Sequence, residues 1–297
     1  MAKDIFRRMV LYPLEALALL LVFIVFHLMP LSWASAIGGF VGRTIGPRLG
    51  ISRRADQNIR RAMPELDDPA VHALVCAMWD NLGRTVCEYP LMGRFTFQGP
   101  RSNGEIVGAH IIDRLRDDGK PAILFGGHLA NWEIAASAFA ERGVVLDRVY
   151  RIANNPLVEH LYRLGRGGIK GDQIPKGRGG AKALIKAIRD GHHIAMLLDQ
   201  KMNDGISVPF FGIEAMTASA GAELAIKNDC PLVPVRTERI KGTQFKITVM
   251  EPLTIAKTGN VQDDARIVMI EVNRLLENWI RERPGQWLWL HNRWPNE

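Results

Sequence analysis

The N-terminal region carries the most continuous apolar run of the chain. From Leu14 to Met29 the sequence reads LEALALLLVFIVFHLM, interrupted only by Glu15 and His27 and closed by Pro30. This length approaches the roughly 20 residues that a helix needs to span a bilayer. The pattern predicts an N-terminal membrane anchor over residues 1–35.

Two alternatives to a spanning anchor stay open. Lys3, Arg7 and Arg8 precede the apolar run and the letters ASA follow it at 34–36, which is also the pattern of a cleaved signal peptide. A helix that lies in the cytoplasmic leaflet without crossing it has a similar composition. Six arginines follow the run closely, and positive charge beside an apolar segment resists translocation, so we expect the downstream chain to stay cytoplasmic. These arginines are Arg43, Arg48, Arg53, Arg54, Arg60 and Arg61.

Helical spacing continues after the anchor. In the segment DPAVHALVCAMWDNLGRTVCEY, four apolar residues, Val71, Leu74, Val75 and Met78, recur on one helix face. We therefore predict a helical, membrane-proximal segment over residues 36–104.

From residue 105 onward, apolar runs of strand length alternate with stretches of helical spacing. Such alternation is typical of crossover units and a parallel sheet, and a turn at 241–243 adds a strand that reverses direction. We predict an α/β domain over residues 105–297, with a mixed, largely parallel sheet flanked by helices. The predicted strands are 122–125, 144–150, 193–199, 231–240 and 244–251, and the predicted helices are 105–118, a helix after His128, 157–164, 181–190, 218–227 and a last helix that ends before Pro284.

Charge and cysteine content narrow the class of protein. The formal net charge of +7 favours an anionic partner, which can be nucleic acid, phospholipid or a phosphorylated small molecule. Cys76, Cys87 and Cys230 are too few for a disulfide framework, and no CxxC pair suggests zinc. A reducing compartment is the default expectation.

Candidate chemistry lies in the stretch ILFGGHLANWEIAASAF, where a predicted strand gives way to a helix. Gly126 and Gly127 let a substrate approach the backbone, and the helix start favours developing negative charge. His128 is the candidate general base, with Glu133 holding its ring and stabilising the imidazolium. The five-residue step between them turns a helix by about 140°, which argues against a helical zinc pair. On the residues alone, a loop histidine and a helix-start carboxylate explain the pair equally well.

The protein itself offers no serine nucleophile in this pattern, because the sequence contains no GxSxG elbow. The substrate must then supply the nucleophile. A hydroxyl that His128 deprotonates and that attacks a thioester carbonyl gives direct acyl transfer. A hydrolase that uses water is the less favoured alternative.

The block GGHLANWE resembles the His-x4-Asp/Glu block of glycerolipid-type acyltransferases, in the form typical of the late (secondary) acyltransferases of lipid A biosynthesis, which transfer lauroyl or myristoyl chains. Four more blocks occur in that family's order, and the similarity covers nearly the whole chain. They read NNPLVEHLYRLGRG, PKGRGGAKALIKAIRDG, LLDQKMNDGISVPFFG and RERPGQWLWLHNRW. Ala130 departs from the family pattern, where glycine is more usual.

The resemblance implies where the site lies. His128 and Glu133 become the catalytic dyad, and the acceptor carries phosphates, which arginine forks bind bidentately. The glycines around Arg178 can add an anion-binding nest, although a solvated surface charge is the alternative for both arginines. The substrate-binding positions expected are Arg166, Arg178, Asp199 and Asn131.

The resemblance also implies partners. We expect acyl carrier protein as thioester donor, a lipid A precursor as acceptor and contact with membrane lipids, with no nucleic acid, metal or organic cofactor. The expected location is the bacterial inner membrane, with the catalytic domain on the cytoplasmic side. Another glycolipid acceptor, such as a phosphatidylinositol mannoside, and a non-enzymatic basic membrane adaptor are the alternatives.

Overall fold

The computed structural model describes residues 7–165, 170–255 and 258–294 of the chain, without the side chain of Arg178. Two expected substrate residues are affected. Arg166 lies outside the described residues, and only the backbone of Arg178 lies within them.

The apolar N-terminal run forms a helix, α1 (Tyr12–His27), which a π-helical turn precedes at Arg7–Leu11. Together they make 21 residues, and this is the one helix in the described chain that is long and apolar enough to cross a membrane. Most of its large side chains face outward, Leu14 and Leu21 among them. The length and exposure agree with the predicted anchor.

Three helices follow: α2 (Leu31–Ile45), α3 (Ser52–Ala62) and α4 (Asp68–Glu88). Helices α2 and α4 meet backbone to backbone through glycine. A Cβ atom on Gly42 would lie 2.1 Å from the carbonyl oxygen of Trp79, so a larger residue there would force the helices apart.

A seven-stranded sheet forms the centre of the molecule. Across the sheet its strands lie in the order β1 (Gly104–Val107), β9 (Gln244–Val249), β8 (Leu232–Lys241), β2 (Ile123–Gly126), β5 (His193–Leu197), β3 (Leu146–Tyr150) and β4 (Gln173–Pro175). Strands β8, β2, β5, β3 and β4 run parallel, whereas β9 is antiparallel to β8 and parallel to β1. The predicted mixed, largely parallel sheet is confirmed.

Helices cover both faces of the sheet, and all four residues of β2 are buried between them. The remaining helices are α5 (Ala109–Asp117), α6 (Ala135–Glu141), α7 (Pro156–Gly165), α8 (Arg178–Arg189), α9 (Ala220–Lys227) and α10 (Val261–Glu282). A 3-10 turn, Trp132–Ile134, precedes α6.

The structure corrects the element prediction in three places. The predicted helix 105–118 begins only at Ala109, because β1 occupies its start and Gly108, at φ 77°, ends that strand. Strand β4, three residues long, was missed. So was a separate hairpin of β6 (Lys201–Phe210) and β7 (Ile213–Thr217), whose first strand is polar and irregular in register.

Candidate active site

Four of the parallel strands end at one edge of the sheet, and each is followed by a polar residue. His128 follows β2, Asp199 follows β5, Arg151 follows β3 and Lys176 follows β4. In open α/β sheets, ligands bind beyond the carboxyl ends of the strands. The sheet therefore places a histidine, a carboxylate and two cations along the edge where a substrate is expected.

His128 and Asp199 form the most closely connected pair at this edge. Nδ1 of the ring is 2.7 Å from Oδ1 of Asp199, and the backbone N–H of His128 donates to Oδ2 at 2.7 Å. Trp287 donates its indole N–H to the same Oδ2, also at 2.7 Å. Gly127 makes room for this contact, since a Cβ atom there would lie 3.3 Å from Oδ2. The carboxylate is thus fixed by three donors.

The charge of Asp199 sets the proton position on His128. Asp199 is completely buried, and burial by itself would raise its pKa, but the attraction and hydrogen bonds of His128 outweigh burial and lower the pKa well below its usual range. The ionised carboxylate only accepts hydrogen bonds, so Nδ1 carries the proton and Nε2 carries the lone pair. Glu133 was predicted to hold this ring, whereas the structure places Asp199 at that nitrogen.

The other ring nitrogen of His128 faces Gln200 and His291. The amide nitrogen of Gln200 lies 3.0 Å from Nε2 of His128 and 2.9 Å from Nε2 of His291. Burial first, and the charge of His128 second, lower the pKa of His291 to about 4, so His291 is neutral at pH 7. No catalytic role was predicted for Gln200 or His291, although both lie in the quoted family blocks.

Glu133, the predicted acid of the dyad, is buried at the wall of the same cavity as His128. The hydroxyl of Tyr89 lies 3.4 Å from its Oε1. The structure therefore brings the two predicted catalytic residues to one cavity, and the catalytic role of Glu133 stays a prediction.

The cavity has a volume of about 500 Å³, within the range of roughly 300–1,000 Å³ typical of ligand sites. Its lining combines polar side chains, including His128, Gln200 and His291, with apolar side chains from the sheet and α6, including Leu124, Phe139 and Leu146. Leu19 and Phe23 of α1 contribute to the wall as well. A ligand with an apolar chain and a polar reacting end fits this division.

Comparison with known proteins decides the family. The model of the family described as bacterial lipid A biosynthesis acyltransferase matches residues 3–296. The chain belongs to this family.

Named relatives agree with this assignment. The acyltransferase is 24% identical to the lipid A biosynthesis lauroyltransferase of Escherichia coli K12, over 80% of this chain and 76% of the relative. It is 22% identical to the lipid A biosynthesis acyltransferase of Haemophilus influenzae, over 92% and 83% of the two chains. The palmitoleoyltransferase of E. coli K12 is 20% identical over 86% and 83%.

The solved structures similar to this chain include that of the 1-acyl-sn-glycerophosphate acyltransferase of Thermotoga maritima. It is 13% identical and covers 89% of this chain and 98% of its own, with a TM-score of 0.36. This likeness is too loose to support a conclusion about the site.

Asn131 lies in the acyltransferase interior and not at the cavity wall. Its side chain is fully buried and donates to Oε2 of Glu88 at 2.8 Å. Glu88 in turn binds Arg239 through both oxygens, at 2.5 and 3.0 Å, and accepts from the hydroxyl of Ser35. This position supports a structural role for Asn131, because it ties the loop between His128 and the 3-10 turn to α4 and β8.

Side chains of α4 also support an unusual backbone conformation next to Asn131. Ala130 has a φ of 52°, in the left-handed region, and its carbonyl oxygen accepts from Asn81 at 3.1 Å and from Thr85 at 3.2 Å. Its N–H donates to the carbonyl of Gln286 at 3.0 Å. This explains why glycine is usual at position 130, and it shows that alanine is held there by contacts distant in sequence.

Removal of the Glu88 carboxylate is expected to destabilise the acyltransferase. Glu88→Gln leaves the buried Arg239 guanidinium without its counter-ion, which costs about 3–5 kcal/mol of unfolding free energy. Denaturation in detergent measures this loss. The matched control is Glu271→Gln, which breaks an exposed pair with Arg274 and should cost less than about 1 kcal/mol. Equal losses in the two variants would contradict the expectation.

His291 is expected to make the stability depend on pH. Its pKa is about 4 in the folded protein and 6.5 ordinarily, so between these values the unfolded chain binds a proton that the folded chain does not. Stability therefore falls as the pH falls through this window. His291→Gln should reduce the loss between about pH 7 and 4.5 by about 2 kcal/mol, as measured by denaturation at each pH. Parallel pH curves for the two proteins would contradict this.

Proposed function

We propose that this acyltransferase moves a fatty acyl chain from a thioester on acyl carrier protein to a hydroxyl of a lipid A precursor, by direct attack in a ternary complex. One observation carries the proposal. His128, whose Nε2 lone pair is set by the ionised Asp199, lines a largely apolar cavity.

The reaction follows from this placement. Nε2 of His128 removes the proton from the acceptor hydroxyl, and the oxygen attacks the thioester carbonyl carbon. Asp199 stabilises the imidazolium that forms. When the tetrahedral intermediate collapses, the carbon–sulfur bond breaks and the imidazolium returns its proton to the leaving thiolate. The acyl chain moves from sulfur to oxygen with no covalent enzyme intermediate.

The apolar cavity supports an acyl chain as the group that is transferred. Its interior offers Leu124, Phe139 and Leu146 as contacts, and each buried CH₂ group contributes about 0.8 kcal/mol to binding. Because Leu19 and Phe23 of α1 form part of the wall, a lipid substrate in the bilayer reaches the cavity beside the anchor. We place the enzyme at the bacterial inner membrane with its catalytic domain in the cytoplasm, where carrier protein is available.

Glu133 is proposed as the second member of the dyad. It lies in the cavity wall next to the loop of His128, where a carboxylate can favour the imidazolium or orient the acceptor. Glu133→Gln should lower kcat by about two orders of magnitude or more. The control is Glu141→Gln, at the end of α6, which should keep near wild-type kcat. Wild-type kcat in Glu133→Gln would remove Glu133 from the mechanism.

The experiment that tests the function uses the detergent-solubilised protein with a panel of acyl carrier protein thioesters and a tetraacylated lipid A precursor. Mass spectrometry should show a gain of one acyl chain, and the His128→Ala variant should not produce it. No gain with folded protein and intact donors would contradict the proposal. Phosphatidylinositol mannoside would be the next acceptor assayed, and failure of every acceptor would favour a non-enzymatic adaptor.

A further inference from the structure

Two cations stand side by side at the carboxyl edge of the sheet. Arg151 directly follows β3 and Lys176 directly follows β4, and the last residues of these strands, Tyr150 and Pro175, are register partners. The N–H of Lys176 donates to the carbonyl of Tyr150 at 2.7 Å, so the parallel pairing continues into these residues. Neighbouring strands lie about 4.8 Å apart, and in-register side chains of parallel strands share a face. Arg151 and Lys176 are therefore adjacent on the same side.

Both side chains open to the cavity that contains His128. Neither makes a side-chain hydrogen bond or ion pair with any residue that the structure describes. Arg236, by contrast, is paired with Glu238 and Glu282.

The surroundings of Lys176 disfavour its charged form. Burial lowers its pKa, Asp199 raises it and Arg151 lowers it again. The carboxylate of Asp199 is already held by His128 and Trp287, and Glu159, the nearby cavity carboxylate, accepts from the hydroxyl of Tyr150 and the N–H of Ala153. Because these carboxylates accept hydrogen bonds from other donors and form no ion pair with either cation, two like charges in one cleft attract a further anion.

The backbone adds positive potential at the same place. Helix α8 begins at Arg178, two residues after Lys176, and its N-cap Gly177 has a φ of 101° that few other residues adopt. The first N–H groups of a helix have no partner within the helix, and its N-terminus favours negative charge.

We infer that Arg151 and Lys176 form a subsite for a phosphate ester of a substrate. The inference rests on the proposed acyl transfer. Strands β3 and β4 are two and three strand spacings from β2, so the subsite lies about 10–14 Å along the sheet edge from the backbone of His128. Two phosphates can occupy it: a sugar phosphate of the acceptor, or the phosphodiester of the phosphopantetheine arm that carries the donor thioester. Both are anions that a guanidinium and an ammonium recognise.

Substrates with and without phosphate test the inference. For Arg151→Gln and Lys176→Gln, kcat/KM is measured with two pairs of substrates. The acceptor pair is the lipid A precursor and its dephosphorylated form. The donor pair is the acyl carrier protein thioester and an acyl pantetheine thioester that lacks phosphate. Each variant should lose about 10- to 100-fold with the phosphorylated form of one substrate and little with its phosphate-free form. The substrate that shows this pattern is the source of the phosphate. Arg189→Gln, at the far end of α8, is the matched control and should lose nothing.

A binding measurement separates this inference from the proposed function. Titration calorimetry with inorganic pyrophosphate should show binding to the wild-type protein and to Arg189→Gln, and at least tenfold weaker binding to the double variant of Arg151 and Lys176. Equal losses on phosphorylated and phosphate-free substrates, or pyrophosphate binding unchanged in the double variant, would overturn the subsite. If pyrophosphate binding depends on both cations but the protein acylates no acceptor, the anion site is upheld and the proposed acyl transfer is contradicted.

Discussion

Replacing His128 with alanine is expected to lower kcat by about 10⁴-fold or more, because the variant has no base to take the proton from the acceptor hydroxyl. KM should change little, since the apolar cavity and the cations at its rim remain in place. Initial rates of acyl transfer at saturating donor and acceptor measure the effect, and a thermal unfolding curve shows that the variant is folded.

The chain provides a matched control for this substitution. His192 makes a similar pair, with its Nδ1 2.8 Å from Oδ2 of Asp147, but it precedes β5 and so lies at the opposite edge of the sheet from His128. His192→Ala should keep kcat within a few-fold of wild type. If His128→Ala kept a comparable rate, the general-base mechanism would be wrong, whatever the product of the reaction.

Replacing Asp199 with asparagine should lower kcat by about 10²–10⁴-fold while leaving KM nearly unchanged. The carboxylate fixes the proton on Nδ1 of His128 and stabilises the imidazolium, and an amide that donates to Nδ1 favours the wrong tautomer. The expected magnitude follows what the same change does in hydrolase triads. Steady-state kinetics with both substrates gives kcat and KM separately.

Asp147→Asn is the corresponding control, because it alters a buried carboxylate bound to a histidine outside the cavity. It should reduce stability without a selective loss of kcat. A wild-type kcat in Asp199→Asn would show that His128 does not need the carboxylate, and the pairing would then serve only the fold.

Local patterns in the sequence determined the fold class of this acyltransferase and the position of His128 along the chain. The apolar run of α1 depends only on composition and length, and the α/β domain follows from alternating periods of hydrophobicity. The placement of His128 at a strand end follows from the glycines that interrupt an apolar run. The errors occurred where this signal is weak: β1 and β4 have four and three residues, and β6 is polar along much of its length.

The partners of His128 were decided only by the tertiary structure. The sequence predicts the ends of both β2 and β5. It does not predict that these strands, which β3 and β4 separate along the chain, lie next to each other in the sheet. That adjacency brings Asp199, 71 residues away, to the ring of His128, and the return of the C-terminal segment brings His291 to Gln200. A carboxylate five residues away was the nearest partner in sequence. Strand order selects the partner in space, because the carboxyl ends of parallel strands meet at one edge whatever length of chain lies between them.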